Sequence, residues 1–313
     1  MPGCLRATFA GPFTDRKVGM SQPSDSPPRE FFDRHPRFRE TSTTAVRPSR
    51  LNLRHQALIG SNRDILQGAR VLDIASHDGR WSFAALEAGA RHVTGVEPRR
   101  NLVENANATL AAYGADPESY RFICGDIFEV LPRERLDVDV VLCLGFLYHT
   151  LRFPELFRRI ADLNPTHLIV DTKVATDPEP VIRVLINREQ VESHAVADAF
   201  SAGTNTLIGH PSVSALVQML DLYGFDVEER YDWLALVARN PGVTVQTYQE
   251  GTRATLRFKR RSESGTEQGR PAARRFRREA SGVAVGGVGR SSPGTVPGAG
   301  VPATTHRSAP PRG

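Results

Sequence analysis

Between about residue 50 and residue 258 the chain alternates two kinds of pattern, and this alternation restricts its fold more than any other feature. RVLDIA (70–75), RHVTGVE (91–97), YRFICG (120–125), VDVVLCLG (138–145) and HLIVDTKV (167–174) are short runs of β-branched or apolar residues, the pattern of buried strands. Between them stand helical patterns: WSFAALEAG, RRNLVENANATLAAYG with Gly114 as its stop, and PELFRRIADL opened by Pro154. Strands alternating with helices predict an α/β protein, a doubly wound parallel sheet covered on both faces. After the fifth strand a long insertion, residues 176–210, breaks the rhythm. An amphipathic helix follows in HPSVSALVQMLDLYGF, with Pro211 near its start and Gly224 at its stop. DVEERYDW and TRATLRFKR then pair antiparallel to close the sheet edge, giving a mostly parallel seven-stranded sheet.

The turn after the first strand, DIASHDGRW (73–81), carries the next constraint. A dinucleotide site needs G-x-G-x-x-G there, because pyrophosphate must approach bare backbone. Ala75, Ser76, His77, Asp78 and Gly79 stand there instead. An imidazole at 77 crowds a diphosphate and a carboxylate at 78 repels it. Hydroxyl, imidazole and carboxylate groups suit a ligand that carries a sulfonium, an ammonium and a carboxylate beside adenosine.

From about residue 54 to 258 the chain resembles the class I S-adenosylmethionine-dependent methyltransferases. VLDIASHDG stands where that family has VLDLGCGTG, so the three glycine positions fall on Ala75, His77 and Gly79. Glu97 lies 24 residues after Asp73 and matches the acidic residue that binds the ribose diol. Cys124, Gly125, Asp126 and Ile127 match the end of the third strand, where a carboxylate meets the adenine amino group. Asp126 on its own reads as a solvated loop or helix-cap residue. The resemblance thus implies S-adenosyl-L-methionine as cofactor, with Asp73, Ala75, Ser76, His77, Gly79, Glu97, Asp126, Ile127 and Leu144 as its site. Asp73 is assigned to ordering the loop and holding the ammonium indirectly. Trp81 reads as core or loop packing at least as readily as a cofactor contact.

In this family the first and fourth strands adjoin at the sheet's switch point, so LCLGFLYHT (142–150) should face the 75–79 turn across the methyl group. Two readings of His149 stay open: a histidine bonding the loop after the fourth strand, or a general base, since an ordinary imidazole is largely neutral at pH 7. Tyr148 either lines the acceptor pocket or packs. Asp171 lies on the same rim, as a turn or cap carboxylate or as a substrate-orienting group. Glu189, Glu192, His194 and His210 match no metal-ligand spacing, and no metal is expected.

Composition narrows the partners. Of the net charge of +5, the segment from Lys259 to Gly313 carries +8, which leaves −3 for residues 1–258. A core of that sign does not advertise a nucleic-acid surface. The 259–313 tail is rich in Gly, Pro and Arg and reads as disordered, as does most of residues 1–48, where FFDRHPRF (31–38) is a candidate lid or arm. Cys4, Cys124 and Cys143 fit neither a disulfide framework nor a zinc cluster, and the last two read as core residues. No segment is long and apolar enough for a membrane span, and no secretion signal is read in the first twenty residues, although Met20 is an alternative start. These features predict a soluble cytoplasmic protein, compatible with a homodimer and without a membrane partner.

The segment after the fourth strand lacks the Asn/Asp-Pro-Pro-Tyr pattern. LGFLYHT is similar to small-molecule methyltransferases and to enzymes related to those that modify the tRNA wobble uridine. With the 176–210 insertion read as a roof, a small-molecule acceptor methylated on O or N is favoured. A tRNA-modifying enzyme and a non-catalytic cofactor-binding protein are the alternatives.

Overall fold

The computed structural model describes residues 30–40, 42, 47–188 and 199–262. Cys4, Met20, Glu189, Glu192, His194 and the tail beyond residue 262 lie outside the described residues. In chain order the elements are α1 (Phe31–Arg34), α2 (Arg37–Glu40), α3 (Pro48–Leu58), α4 (Arg63–Leu66), β1 (Arg70–Ile74), α5 (Arg80–Glu87), β2 (His92–Glu97), α6 (Arg100–Ala112) and β3 (Tyr120–Cys124). They continue with α7 (Ile127–Arg133), β4 (Val140–Leu144), α8 (Phe153–Asp162), β5 (His167–Lys173), β6 (Ile182–Arg188), β7 (Asn205–Pro211), α9 (Val213–Leu222), β8 (Phe225–Arg230), α10 (Trp233–Ala238), α11 (Gln246–Gln249) and β9 (Arg253–Arg260).

Seven strands form one sheet in the order β3-β2-β1-β4-β5-β9-β8. The first five run parallel, and β9 inserts antiparallel between β5 and β8. Successive side chains of a strand point to opposite faces, and β1 shows this directly. Leu72 and Ile74 enter the core on the side of α8 and α9, with Phe153, Phe157, Leu216 and Leu220. Val71 enters the other core, with Trp81, Phe83 and Val93. From β1 the chain winds outward to β2 and β3 on one side, and from β4 to β5 on the other. The crevice above β1 and β4 is therefore the switch point at which open sheets bind ligands.

One expectation is corrected here, and two others gain detail. Within residues 1–48, expected to be largely disordered with FFDRHPRF (31–38) as a candidate lid or arm, α1 and α2 form in and beside that arm, with Phe31, Phe32 and Phe38 buried. Their rings pack among His35, His55, Phe83 and Tyr113, and Phe32 N donates to Asn52 Oδ1 at 2.8 Å. Each buried phenylalanine contributes about 1.5–3 kcal/mol, enough to order helices too short to form alone. Cys124, read as core, is exposed because β3 is an edge strand; Cys143 is buried, and burial pushes its thiol up to about 12.

The insertion is described in part. Its described part is an antiparallel β6–β7 hairpin seated beside the segment after β4, with Gly209 N donating to Thr150 O at 3.1 Å. A Cβ at Gly209 would meet Leu151 at 2.7 Å and Phe153 at 3.0 Å, so glycine permits that approach. Among the described residues none from 176–210 lines the cavity; residues 189–198 of the insertion lie outside them. The N-terminal end of α3 lines the cavity.

Candidate functional site

A cavity of about 480 Å³ lies at the switch point. The β1 turn supplies Ala75 and His77, α5 supplies Arg80 and Trp81, and the end of β2 supplies Glu97. Asp126 and Ile127 enter from the start of α7, and Leu144 to Thr150 apart from Leu147 from the end of β4 and the turn beyond it.

The turn's backbone explains its departures from glycine. Ala75, His77 and Gly79 all take left-handed conformations, with φ of 54°, 55° and 76°. Bonds from Ser76 N to Val96 O (3.0 Å), His77 N to Glu97 Oε2 (3.0 Å) and Gly79 N to Ser76 O (2.9 Å) hold them there. Left-handed backbone costs an L-residue about 1–2 kcal/mol, and glycine's extra unfolded freedom returns about 0.5–1 of that. Ala75→Gly should therefore stabilise the protein, by up to about 1 kcal/mol, read as a raised denaturant midpoint at unchanged m-value. Gly79 is required for packing as well, since a Cβ there would meet Phe122 at 2.9 Å and Ala106 at 3.0 Å.

Not every residue assigned to the cofactor reaches the cavity. Asp73 is buried beneath the turn, accepting from Ser82 Oγ at 2.7 Å, a bond that ties β1 to α5. Burial, helped by the nearby carboxylates of Glu97 and Asp78, pushes its carboxyl up to about 7 against the effect of that bond. Ser76 is buried, and its Oγ lies 2.8 Å from where a Cβ on Gly95 would sit, so its hydroxyl faces β2. Gly79 faces α6 and β3. Ala75, His77, Glu97, Asp126, Ile127 and Leu144 line the cavity.

Asp78 also differs from expectation. It is fully buried and paired with Arg80, through Nε at 2.7 Å and Nη2 at 2.6 Å. Burial alone would raise its pKa; Arg80 and His77 overcome that and lower it. Asp78 therefore repels nothing in the cavity, and the case against a diphosphate rests on the His77 side chain and the Glu97 carboxylate. The Arg80 guanidinium reaches on to Ser42 Oγ at 2.6 Å, fastening the N-terminal segment to the turn.

Glu97 is 1% exposed, and both carboxylate oxygens face donors. Oε2 accepts from His77 N; Oε1 accepts from Arg99 Nε at 2.6 Å and Arg99 N at 3.2 Å. Asp126 caps α7, its Oδ1 accepting from Phe128 N at 2.9 Å, and stands at the cavity wall as well. Tyr148 and His149 form part of a single helical turn after β4, their rings 4.2 Å apart, and both line the cavity. Lys173 Nζ lies 4.9 Å from the Tyr148 ring centroid, and the Arg253 guanidinium 5.3 Å.

Residues 71–164 match the protein family described as a methyltransferase domain. That stretch, under a third of the chain, is similar to a methyltransferase domain, and the seven-stranded sheet around it fits the class I methyltransferase fold. Over 94 residues it is 31% identical to the tRNA U34 carboxymethyltransferase of Desulforapulum autotrophicum, a match that takes in 30% of this chain and 28% of that protein. The chain thus spans little more than a quarter of the curated relative it matches. Among solved structures it is similar to an S-adenosylmethionine-dependent methyltransferase from Mesorhizobium loti, at 16% identity and TM-score 0.46, over 66% of this chain and all of that one. It is also similar to the magnesium protoporphyrin IX methyltransferase of Synechocystis PCC 6803 with S-adenosylmethionine bound, at 17% identity and TM-score 0.46, over 72% and 90% of the two chains.

Within the methyltransferase domain and its flanks, two groups of residues escaped the sequence reading. Asp171, read as a rim carboxylate, is fully buried and surrounded. Its Oδ1 accepts from Arg253 Nε (2.7 Å), Arg253 Nη2 and Arg54 Nη2 (3.2 Å); its Oδ2 accepts from Tyr248 OH (2.7 Å) and Thr255 Oγ1 (2.7 Å). Burial would raise its pKa, but Arg253 and Arg54 hold it down at about 2. The second group is the arginines at 47, 50 and 54, which line the cavity from α3 and its N-cap. Their i, i+3, i+7 spacing marks one helix face and was the available signal. Trp81 packs in the core, 6% exposed, and also lines the cavity, with the Arg54 guanidinium 5.1 Å from its ring centroid.

Proposed function

We propose that the protein is an S-adenosylmethionine-dependent methyltransferase acting on an O or N atom of a small-molecule acceptor. The observation that carries this reading is the meeting of Glu97 and Asp126, at the ends of β2 and β3, with Tyr148 and His149, after β4, around one cavity. The donor set fits the cofactor. Glu97 offers a carboxylate to a ribose diol, Asp126 an acceptor near an adenine amino group, and Ile127, Phe128 and Leu144 apolar surface for the base. When bound, the cofactor supplies a methyl on a positively charged sulphur, ready for in-line displacement.

The chain's contribution is mostly positioning, which in such displacements is worth roughly 7–11 kcal/mol. His77 and Ala75 hold the turn beside the methionine half, and Asp73 orders that turn through Ser82. His149 takes the proton from the acceptor's hydroxyl or amine, and Tyr148 forms the acceptor's wall. Loss of a general base slows a reaction about 10²–10⁴-fold. His149→Ala should thus slow label transfer from methyl-labelled cofactor to a metabolite extract by that factor. Its affinity for S-adenosylhomocysteine, measured by calorimetry, should stay within about 3-fold. Wild-type protein that fails to bind S-adenosylhomocysteine would end the reading, and an unslowed variant would remove His149 from the chemistry.

One observation favours a second reading. The curated relative matched over 94 residues acts on tRNA, so tRNA belongs in the same labelling assay. The −3 balance of residues 1–258 supports the small acceptor.

A further inference from the structure

The cavity's charge does not balance. Arg80 is matched by Asp78 and Arg99 by Glu97, while Arg54 and Arg253 share the one carboxylate of Asp171. Arg47, Arg50 and Lys173 also line the cavity, and among the described residues the side chain of none of the three has an ion-pair or hydrogen-bond partner. Among the described residues, Asp126 is the only other acidic residue in the wall. Three cations on the α3, β5 and Tyr148 side are therefore left without counter-charge, and Arg54 and Arg253 are only partly compensated.

The cofactor does not correct this. A sulfonium and an ammonium outweigh one carboxylate, so its arrival adds a further positive charge to the same space. Half-buried Arg50 already carries the cost: burial first, then Arg54 and Arg253, lower its pKa, as befits a cation held among cations. Thr247 Oγ1, also at the cavity wall, is buried without a hydrogen-bond partner among the described residues and adds a neutral donor to the same side. Guanidinium and ammonium groups with a hydroxyl, set among the Tyr148, Phe146 and Trp81 rings, make a receptor for an anion borne on an apolar body.

Building on the methyl-transfer reading above, we infer that the acceptor is an anionic small molecule, whose carboxylate or phosphate is received by Arg50 and Lys173 beside Tyr148. The anion anchors the acceptor on the α3 and β5 side, and the atom to be methylated points along the Tyr148 and His149 turn toward the cofactor. A cationic wall inside a cavity, on a domain of net negative charge, suits a small anion that enters it more than a polyanion lying across the surface.

The test uses the full chain saturated with S-adenosylhomocysteine and ligand-observed NMR, with benzoate, indole-3-acetate and phenyl phosphate set against benzamide, indole-3-acetamide and benzyl alcohol. The acids should bind at least about 10-fold more tightly than their neutral partners, the worth of one charge-assisted bond. Benzoate against phenyl phosphate tells carboxylate from phosphate. Arg50→Gln and Lys173→Met should each remove that preference, while S-adenosylhomocysteine affinity stays within about 3-fold. Equal binding of acids and neutral partners, or of neither, overturns the inference. A parallel loss of S-adenosylhomocysteine affinity in both variants overturns it too, by assigning the cations to the cofactor. So does filter binding of tRNA that both substitutions abolish while the acids give no signal. Wild-type protein that does not bind S-adenosylhomocysteine at all fails the methyl-transfer reading instead.

Discussion

Asp171→Ala should lower the free energy of unfolding by about 3–5 kcal/mol, the range found when one partner of a buried ion pair is removed. The alanine would leave Arg253, 8% exposed, and Arg54 facing each other with no carboxylate between them, and would strip Tyr248 and Thr255 of their acceptor. Tyr248 in turn stacks on Trp233 with ring centroids 3.6 Å apart, so the damage spreads to the small core beneath α10 and α11. Asp171→Asn should cost less. Its amide nitrogen can turn toward Tyr248 and Thr255, whose hydroxyls can reverse and accept, and its oxygen can stay with the guanidinium groups, which can only donate. Urea unfolding of the three proteins at pH 7 would decide the order; equal stability of the alanine variant and wild type would show that the cluster is not formed.

The same cluster sets a pH dependence whose sign follows from the depressed pKa. A carboxyl at about 2 when folded and near 3.8 when unfolded stabilises the fold fully above pH 4. That contribution, about 2 kcal/mol, is lost as the pH falls from about 4 through 2. It is best read as the difference between wild type and Asp171→Asn, because Asp73 gives a slope of the opposite sense. With its folded pKa raised to about 7, Asp73 stabilises the fold below pH 4, and that contribution fades as the pH rises through 7.

Local signals made much of this architecture legible. Period-2 and period-3.6 patterns gave the strands and helices around β1 to β5, and two of the three glycine positions of VLDIASHDG fall on Ala75 and His77, which take φ of 54° and 55°. The insertion of β9 between β5 and β8 left no local trace, because it depends on pairing across the whole sheet. Asp171 was misread for the same reason: its partners stand 77, 82, 84 and 117 residues away in sequence, and nothing beside it announces them. Asp78 was misread through neglect of a near neighbour, since Arg80 two residues on takes up its charge. The cationic face of α3 was visible as a spacing, but it fell at the edge of a stretch read as largely disordered, whose candidate arm at 31–38 carries the three phenylalanines that supply its burial.

Glu97→Ala should weaken binding of S-adenosylhomocysteine by about 10²–10⁴-fold, since two bonds from a diol to a carboxylate are worth roughly 1.5–3 kcal/mol each. The geometry sets a competition inside that figure. Arg99 already occupies Oε1 at 2.6 Å, so a ribose hydroxyl must share that oxygen or turn the partly exposed guanidinium aside. Arg99→Ala should accordingly leave affinity within about 3-fold of wild type or improve it, whereas an anchoring role for Arg99 would make it fall with Glu97. The alanine at 97 also frees the His77 N–H, loosening the turn that holds the methionine half, so part of its effect is indirect. Glu97→Gln separates the two contributions. It keeps an oxygen for His77 N–H but exchanges the charged acceptor for an amide, and its affinity should fall between wild type and Glu97→Ala. Calorimetry on the three variants reads all of this, and undiminished affinity in Glu97→Ala would mean that the ligand of this cavity does not lay a diol against the end of β2.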